Sequence, residues 1–179
     1  MGYRHSREEI LEGAIAAVFA DGLSRLTFGA LARRLGISDR IVVYYFPTKD
    51  DLVGAVLGAI GGQLQVALGP ALADPVRDHL AFVEAAWPTL ARRKVDPVIA
   101  VYFEASGLAA AGVEPYRSMA ADLVDGWITW AEQSIAGDTE RRRTEALAAI
   151  AVLDGLLLLR QLAGPETAKR AANGLQRRA

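Results

Sequence analysis

The sequence contains no cysteine and only two histidines among its 179 residues. Without cysteine, the chain cannot form a disulfide, a thiolate-ligated zinc or iron–sulfur site, or a thiol nucleophile. The two histidines are isolated, and neither a phosphate-binding glycine loop nor a metal-spaced cluster accompanies them, so no catalytic constellation is visible. We therefore predict that the protein is not an enzyme and uses no metal or other cofactor.

The chain also has almost no net charge and no long uninterrupted apolar run. Its 20 Lys+Arg residues face 21 Asp+Glu residues, which argues against a general affinity for polyanions but permits a local basic face. The longest apolar runs, 52–62 and 146–153, are shorter than the roughly 18 residues that a membrane-spanning helix needs. We expect a cytoplasmic protein without a membrane partner, with enough of its residues apolar, 52%, to form a core.

Helix start signals and helical apolar spacing recur along the chain. Ser6 and Glu9 have the spacing of a capping box, and an apolar stripe follows from Ile10 to Phe19. Further helices are expected from Thr27, Asp39 and Thr48, and near residues 74–75, 96–97, 114–115, 138 and 164–165. Residues 98–103 could instead form a strand, but no other segment offers a partner. The sequence thus predicts an all-α fold of about nine helices.

Residues 27–46 contain two short predicted helices joined by a tight turn. The residues that would form the turn and the wedge between the helices are Leu31, Ala32, Gly36, Ile37 and Val42. This spacing is typical of the helix-turn-helix, whose second helix enters the DNA major groove. Residues 1–49 carry seven basic and five acidic side chains, a local excess that favours phosphate. Plain helical packing is the alternative, with residues 41–43 in the core.

Two stretches of this region resemble a known family. Residues 27–38 read TFGALARRLGIS and residues 44–52 read YYFPTKDDL, which is similar to the N-terminal domain of the TetR-type transcriptional regulators over about residues 6–57. The resemblance implies a helix-turn-helix DNA-binding domain at 1–47 and a helical ligand-binding and dimerisation domain at 48–179. It also implies a homodimeric repressor that binds double-stranded palindromic operator DNA and is released by a small-molecule effector.

The resemblance also suggests which residues contact DNA. They are Thr27, Ser38, Asp39, Arg40, Ile41, Val43, Tyr44, Tyr45 and Lys49. The family pattern places Thr27, Tyr45 and Lys49 against phosphates and residues 39–41 against bases. Arg40 has the chemistry to bind guanine O6 and N7, and Ile41 or Val43 can contact a thymine methyl. Asp39 can only accept, so it either binds cytosine N4 or repels phosphate. Most relatives have a tyrosine where this chain has Val43.

Aromatic side chains and isolated polar groups concentrate in the second half of the chain. We predict an apolar effector cavity with a few polar anchors, lined by His79, Phe82, Trp87, Tyr102, Phe103, Glu104, Met119, Trp127 and Asp154. His79, Glu104 and Asp154 are the predicted anchors. The aromatic residues could equally be ordinary core, and Asp154 could pair with Arg160.

The helix predicted from about Asp138 to Ala163 is more apolar than one buried face requires, which suggests a partner subunit. With the amphipathic helix that follows, it could build a four-helix bundle across a two-fold axis. The predicted interface residues are Leu147, Ile150, Leu157, Leu158, Gln161 and Leu175. Residues 141–143, three arginines, are expected to form a solvated face. A helical ligand-binding or structural oligomer without specific DNA binding is the alternative function.

Overall fold

The protein, described over residues 6–176 by a computed structural model, is all helical, as predicted. Within these residues it forms nine α-helices: α1 (Arg7–Asp21), α2 (Phe28–Leu35), α3 (Asp39–Tyr45), α4 (Lys49–Leu68), α5 (His79–Leu90), α6 (Asp96–Ala110), α7 (Tyr116–Glu132), α8 (Thr139–Ala163) and α9 (Pro165–Gln176). Short 3-10 helices span Leu23–Arg25, Gly69–Leu72 and Arg93–Val95. The described residues contain no β-strand, only an isolated bridge between Val76 and Ile135. Residues 98–103 belong to α6.

Several helices begin at their predicted start signals. Ser6 and Glu9 form both bonds of the capping box, because the Glu9 amide donates to Ser6 Oγ at 3.1 Å and the Ser6 amide donates to Glu9 Oε2 at 2.9 Å. The helix expected near residues 74–75 begins later, since Asp78 caps α5 by accepting from the Ala81 amide at 2.9 Å. Gly22 ends α1 with φ +86° and ψ 164°, so its backbone is positive in φ but is not left-handed helical.

The chain divides into two compact units. The first comprises the residues up to Gln63 together with Val101–Met119, and the second comprises Leu64–Ala100 together with the residues from Ala120 onward. The first unit therefore contains α1, α2 and α3. The functional boundary expected after residue 47 stays a prediction, because compactness does not test it.

In the second unit, α5 packs against α8 and α9. Arg160 of α8, only 8% exposed, donates to both carboxylate oxygens of Asp96 at the start of α6, at 2.7 and 3.1 Å. A buried guanidinium requires such a partner. Arg160, which the sequence had suggested as a possible partner of Asp154, therefore binds Asp96.

The arginine triplet of α8 is more engaged than the predicted solvated face. Arg143 binds two acids of α7, Asp125 at 2.5 Å and Glu132 at 3.0 Å. Arg141 donates to the carbonyl oxygen of Arg77 at 3.2 Å. These bonds tie the first turns of α8 to neighbouring elements of the same unit.

Two helical segments, Lys49–Leu72 and Thr139–Ala163, are long and apolar enough to cross a membrane when only length and composition are considered. The uninterrupted apolar runs within them, 52–62 and 146–153, are shorter, because charged and polar residues interrupt both segments. Core helices of proteins that never enter a membrane pass the same test, because a helix that is apolar on most sides is also suited to protein packing.

His79 joins the start of α5 to α8. Its backbone amide donates to Glu145 Oε2 at 2.8 Å, and its Nδ1 lies 2.5 Å from the same oxygen. The bonds from the His79 amide and ring lower the pKa of the Glu145 carboxyl. His79, predicted to be a ligand anchor, is thus held by a carboxylate of its own chain.

Replacing Glu145 tests this link. We expect Glu145→Gln to lower the free energy of unfolding by about 1 kcal/mol near neutral pH. The pKa of the Glu145 carboxyl in the folded protein lies below its unfolded value of about 4.5. Its contribution to the free energy of unfolding is therefore present above about pH 4.5 and is lost as the pH falls through the folded-state pKa. Urea unfolding of both proteins at neutral and at acidic pH measures it. Glu84→Gln, at an exposed position of α5, is the control; a difference independent of pH would contradict the expectation.

Candidate DNA-binding site

The turn between α2 and α3 depends on the backbone of Gly36. Gly36 has φ +68° and ψ 30°, a left-handed conformation that costs least for glycine. The amide of Ile37 donates to the carbonyl of Ala32 at 3.0 Å and closes the end of α2. At the other end, Thr27 caps α2 by accepting from the Ala30 amide at 3.1 Å. Hydrogen bonds therefore fix both ends of α2, the first helix of the predicted helix-turn-helix.

Buried side chains hold α2 and α3 in place. Leu31 and Ala32 of α2 are each 1% exposed, and Val42 of α3 is fully buried. Phe46, directly after α3, is also fully buried, and the guanidinium of Arg7 lies 4.8 Å from its ring centroid. A seven-residue helix is not stable by itself, so these contacts decide which side of α3 faces outward.

The opposite side of α3 is exposed. It presents Asp39, Arg40, Val43 and Tyr44, whose spacing of one, four and five residues places them on one helical face. Tyr44 is 78% exposed and Val43 39%. Ile41 lies half-buried beside this row. The alternative that residues 41–43 are all core is correct only for Val42.

The polar residues at the two ends of α3 are also accessible. Ser38 occupies the N-cap position, but its side chain makes no capping bond, and the residue is exposed. Tyr45, at the last position of α3, is half-buried, and its ring meets the Tyr44 ring edge-on at 4.9 Å between centroids. Lys49 is the exposed first residue of α4.

A capping pair fixes the start of α4 and thereby the place of Lys49. Thr48 Oγ1 donates to Asp51 Oδ2 at 2.7 Å, and the Asp51 amide donates to Thr48 Oγ1 at 3.1 Å. The hydroxyl and the amide of Thr48 lower the pKa of Asp51, which keeps this carboxylate charged at the positive end of the helix.

Asp39 lies against the start of α2. Its Oδ2 is 3.5 Å from the point where a side chain on Gly29 would place its Cβ. A Cβ at position 29 would make an ordinary van der Waals contact with this carboxylate, so Asp39 is close to α2 without requiring a glycine there.

The predicted effector-site residues are divided between the two units. In the second unit, Trp130 meets the Phe82 ring edge-on at 6.2 Å and the Trp127 ring at 5.6 Å. Phe82 is 1% exposed, so it is core, as the alternative interpretation held. Trp87 lines an open groove with Leu175. Asp154 is half-buried.

The remaining predicted effector-site residues, Tyr102, Phe103, Glu104 and Met119, belong to the first unit. Glu104 is not presented to a ligand, because its two carboxylate oxygens accept from the backbone amides of Leu23 and Ser24, each at 2.9 Å. Its predicted role as a ligand anchor is therefore corrected to a backbone contact. The sequence signal was only an acid after an apolar run, and it could not reveal a partner 81 residues away.

The predicted dimer residues differ in exposure. Leu147 and Leu158 are exposed, and Ile150 and Leu175 are half-buried. Gln161 is exposed, although its Nε2 donates to the carbonyl oxygen of Asp96 at 3.2 Å. Leu157 is only 5% exposed and belongs to the core of its own chain, because it faces inward on α8. Sequence reasoning missed two exposed leucines of this helix, Leu159 and Leu162.

A buried inner side, a glycine turn and an exposed outer side on a short second helix define a helix-turn-helix DNA-binding protein. Residues 10–56 match the family described as bacterial regulatory proteins, tetR family. No curated protein matches the chain. The family match covers most of α1, all of α2 and α3, and the first part of α4, and it confirms the predicted resemblance to the TetR-type regulators over that region.

Solved structures of similar fold cover nearly the whole chain. A TetR-family transcriptional regulator from Rhodococcus sp. superposes with a TM-score of 0.74 at 17% identity, covering 94% of both chains. A transcriptional regulator from Rhodococcus sp. Rha1 gives 0.71 at 21% identity, covering 96% of this chain and 94% of that one. The multidrug binding protein EbrR, complexed with imidazole, gives 0.67 at 27% identity, covering 96% and 88%.

The two neighbouring valines of α3 test which side of the helix is structural. We expect Val42→Ala to lower the free energy of unfolding by about 1–3 kcal/mol, because it removes buried methyl groups and leaves a cavity. Val43→Ala, the matched control on the outer side, should change it by less than about 0.5 kcal/mol. Denaturant unfolding of both variants measures the difference, and equal losses would contradict the assignment of the two sides.

Proposed function

We propose that the chain is a ligand-responsive repressor that binds palindromic operator DNA as a homodimer and is released by a small, mostly apolar effector. The exposed outer row of α3 carries this proposal. It contains a guanidinium, a carboxylate, an apolar side chain and a phenol on one face, opposite a fully buried Val42. This mixture suits the edges of base pairs in the major groove.

The exposed groups of α3 and its neighbours have the chemistry to bind different parts of DNA. Arg40 can donate two parallel bonds to guanine O6 and N7, and Val43 and Ile41 can contact thymine methyls. Thr27, Ser38, Tyr44, Tyr45 and Lys49 are suited to phosphates, which position a protein but carry little sequence information. Asp39 is the acceptor of the row and would favour a cytosine amino group. Operator selection from a random duplex pool, with and without a metabolite panel, tests the function directly.

Substitutions of Arg40 and Lys49 distinguish base recognition from phosphate binding. We expect Arg40→Ala to cost roughly 1–3 kcal/mol at one base pair and to relax the preference there. Lys49→Ala should weaken binding to all sequences and reduce the slope of log affinity against log salt by about 1. Fluorescence anisotropy titrations over a salt series with selected and scrambled duplexes measure both effects. A sequence-selective loss in Lys49→Ala would overturn its phosphate role.

The homodimer is supported by the outer face of α8. Leu147, Leu158 and Leu162 project from one side of this helix, and Leu162 is 79% exposed. Between them lie the small exposed residues Ala151 and Gly155, at the same helical face. A contiguous apolar face of this kind usually marks an interface, and small residues allow two helices to approach closely. A two-fold axis along this face would pair α8 with its own copy.

Charge on the exposed leucine face should prevent dimer formation. We expect Leu158→Glu to shift the protein to monomer, because like charges would meet across a self-complementary interface. Sedimentation equilibrium or light scattering over a concentration series measures the state. Val66→Glu, at an exposed apolar residue of α4, is the control and should leave the dimer intact. A monomeric wild-type protein would contradict the dimer outright.

The effector part of the proposal is supported by the aromatic cluster of the second unit, in which Trp127 stands beside Trp130. EbrR is a multidrug binding protein whose complexes contain imidazole and proflavin, and its similarity to this chain favours a small-molecule effector. An effector acts only through differential affinity for the DNA-bound and free states. We further propose that the protein acts in the cytoplasm and is not an enzyme. DNA binding whose affinity does not change with salt would favour the alternative of a structural oligomer without specific DNA binding.

A further inference from the structure

The 3-10 helix Leu23–Arg25 is held by two side chains from much later in the sequence. Glu104 of α6 accepts from the Leu23 and Ser24 amides, each at 2.9 Å. Tyr116, the first residue of α7, donates its hydroxyl to the Leu23 carbonyl at 3.2 Å. We call Glu104 and Tyr116, with these three bonds, the clasp. All of its residues belong to the first unit.

The clasp replaces a cap that the local sequence does not supply. The first amides of a helix need an acceptor, which is usually the side chain of the residue just before it. That residue is Gly22, which has no side chain to offer. A Cβ on Gly22 would lie 3.0 Å from Glu104 Oε2, so the glycine leaves space for the carboxylate. The amides therefore depend on α6 for their bonds.

The surroundings of the clasp favour an ionised Glu104 and a protonated Tyr116. Burial raises the pKa of the Glu104 carboxyl, but the bonds from the Ser24 and Leu23 amides outweigh it, so that the pKa is lowered and the group stays ionised. Burial, and the charge of Glu104, raise the pKa of Tyr116. The phenol is thus kept protonated as a donor, and its residue is only 2% exposed.

The clasped segment directly precedes the helix-turn-helix. Only Leu26 and Thr27 separate Arg25 from the first residue of α2. Leu23 and Leu26 are both buried, so the segment has little freedom once its backbone is bound. The orientation of α2 relative to α1 therefore depends on the contact of this segment with α6.

We propose that Glu104 and Tyr116 are positioning residues for operator binding, which fix the helix-turn-helix relative to α6 through the backbone of Leu23 and Ser24. The proposal rests on the proposed function, since it concerns how that function's DNA-reading helix is held. Neither residue is proposed to touch DNA. Their effect should therefore appear where orientation matters, in the simultaneous engagement of two half-sites, and not in the contact of one recognition helix with one half-site.

Amide hydrogen exchange tests the clasp without DNA. In the full-length protein, Glu104→Gln should raise exchange at the Leu23 and Ser24 amides by about tenfold relative to wild type, because a charged acceptor is lost. Tyr116→Phe, which keeps the ring, should raise it less. Glu12→Gln makes the same chemical change on an exposed residue of α1 and should leave both amides unchanged. Unchanged exchange in Glu104→Gln and Tyr116→Phe would overturn the proposal.

Binding to a full inverted repeat and to a single half-site tests the positioning role. We expect Glu104→Gln to lose about tenfold in affinity for the full operator and less than about twofold for the half-site. Equal losses on both duplexes, or none on the full operator despite faster exchange, would overturn positioning. If wild-type protein binds no duplex, the proposed function fails. In that case amide exchange in Glu104→Gln tests the clasp without DNA. Faster exchange that extends into α2 and α3 supports the positioning role, and unchanged protection of these helices overturns it.

Discussion

The burial of Val42 and Phe46 is the constraint on which the DNA-binding face depends. Helix α3 has only seven residues, too few to be stable without tertiary packing. Val42 is fully buried and Phe46 closes the end of the helix from the same side, so the helix has one permitted rotation about its axis. That rotation turns Asp39, Arg40, Val43 and Tyr44 outward. The chemistry available to DNA is therefore selected by a packing contact that never meets DNA.

The local part of this arrangement could be predicted from the sequence because it is encoded within a few residues. Gly36 supplies the left-handed turn, and Thr27 caps α2 from the adjacent position. Local signals fail where several residues compete for one role. The helix expected near residues 74–75 begins only at His79, because Asp78 makes the capping bond, while Ser38 stands at the N-cap without making one. Such choices depend on small free-energy differences that composition does not reveal.

The long-range part could not be predicted, because its partners have no shared sequence signal. Glu104 binds amides 80 and 81 residues away, and Arg160 binds Asp96 across 64 residues. The sequence correctly marked Glu104 as an unusual polar residue but assigned it to a ligand, and it named Arg160 only as a possible partner of Asp154. A half-buried charge is equally well explained by a ligand or by a protein partner. Only the folded contacts distinguish the two.

The modest charge of the N-terminal region limits what one protomer can contribute to DNA binding. Arg34 is partly committed to Asp21 at 3.2 Å, and residues 1–49 carry only two more basic than acidic side chains. Few released counterions mean weak non-specific affinity, so a single recognition helix would be held poorly at physiological salt. Linking two such helices in one molecule converts the second contact into an intramolecular one. The proposed dimer through the exposed leucines of α8 would thus supply affinity that the charge of a single N-terminal region does not.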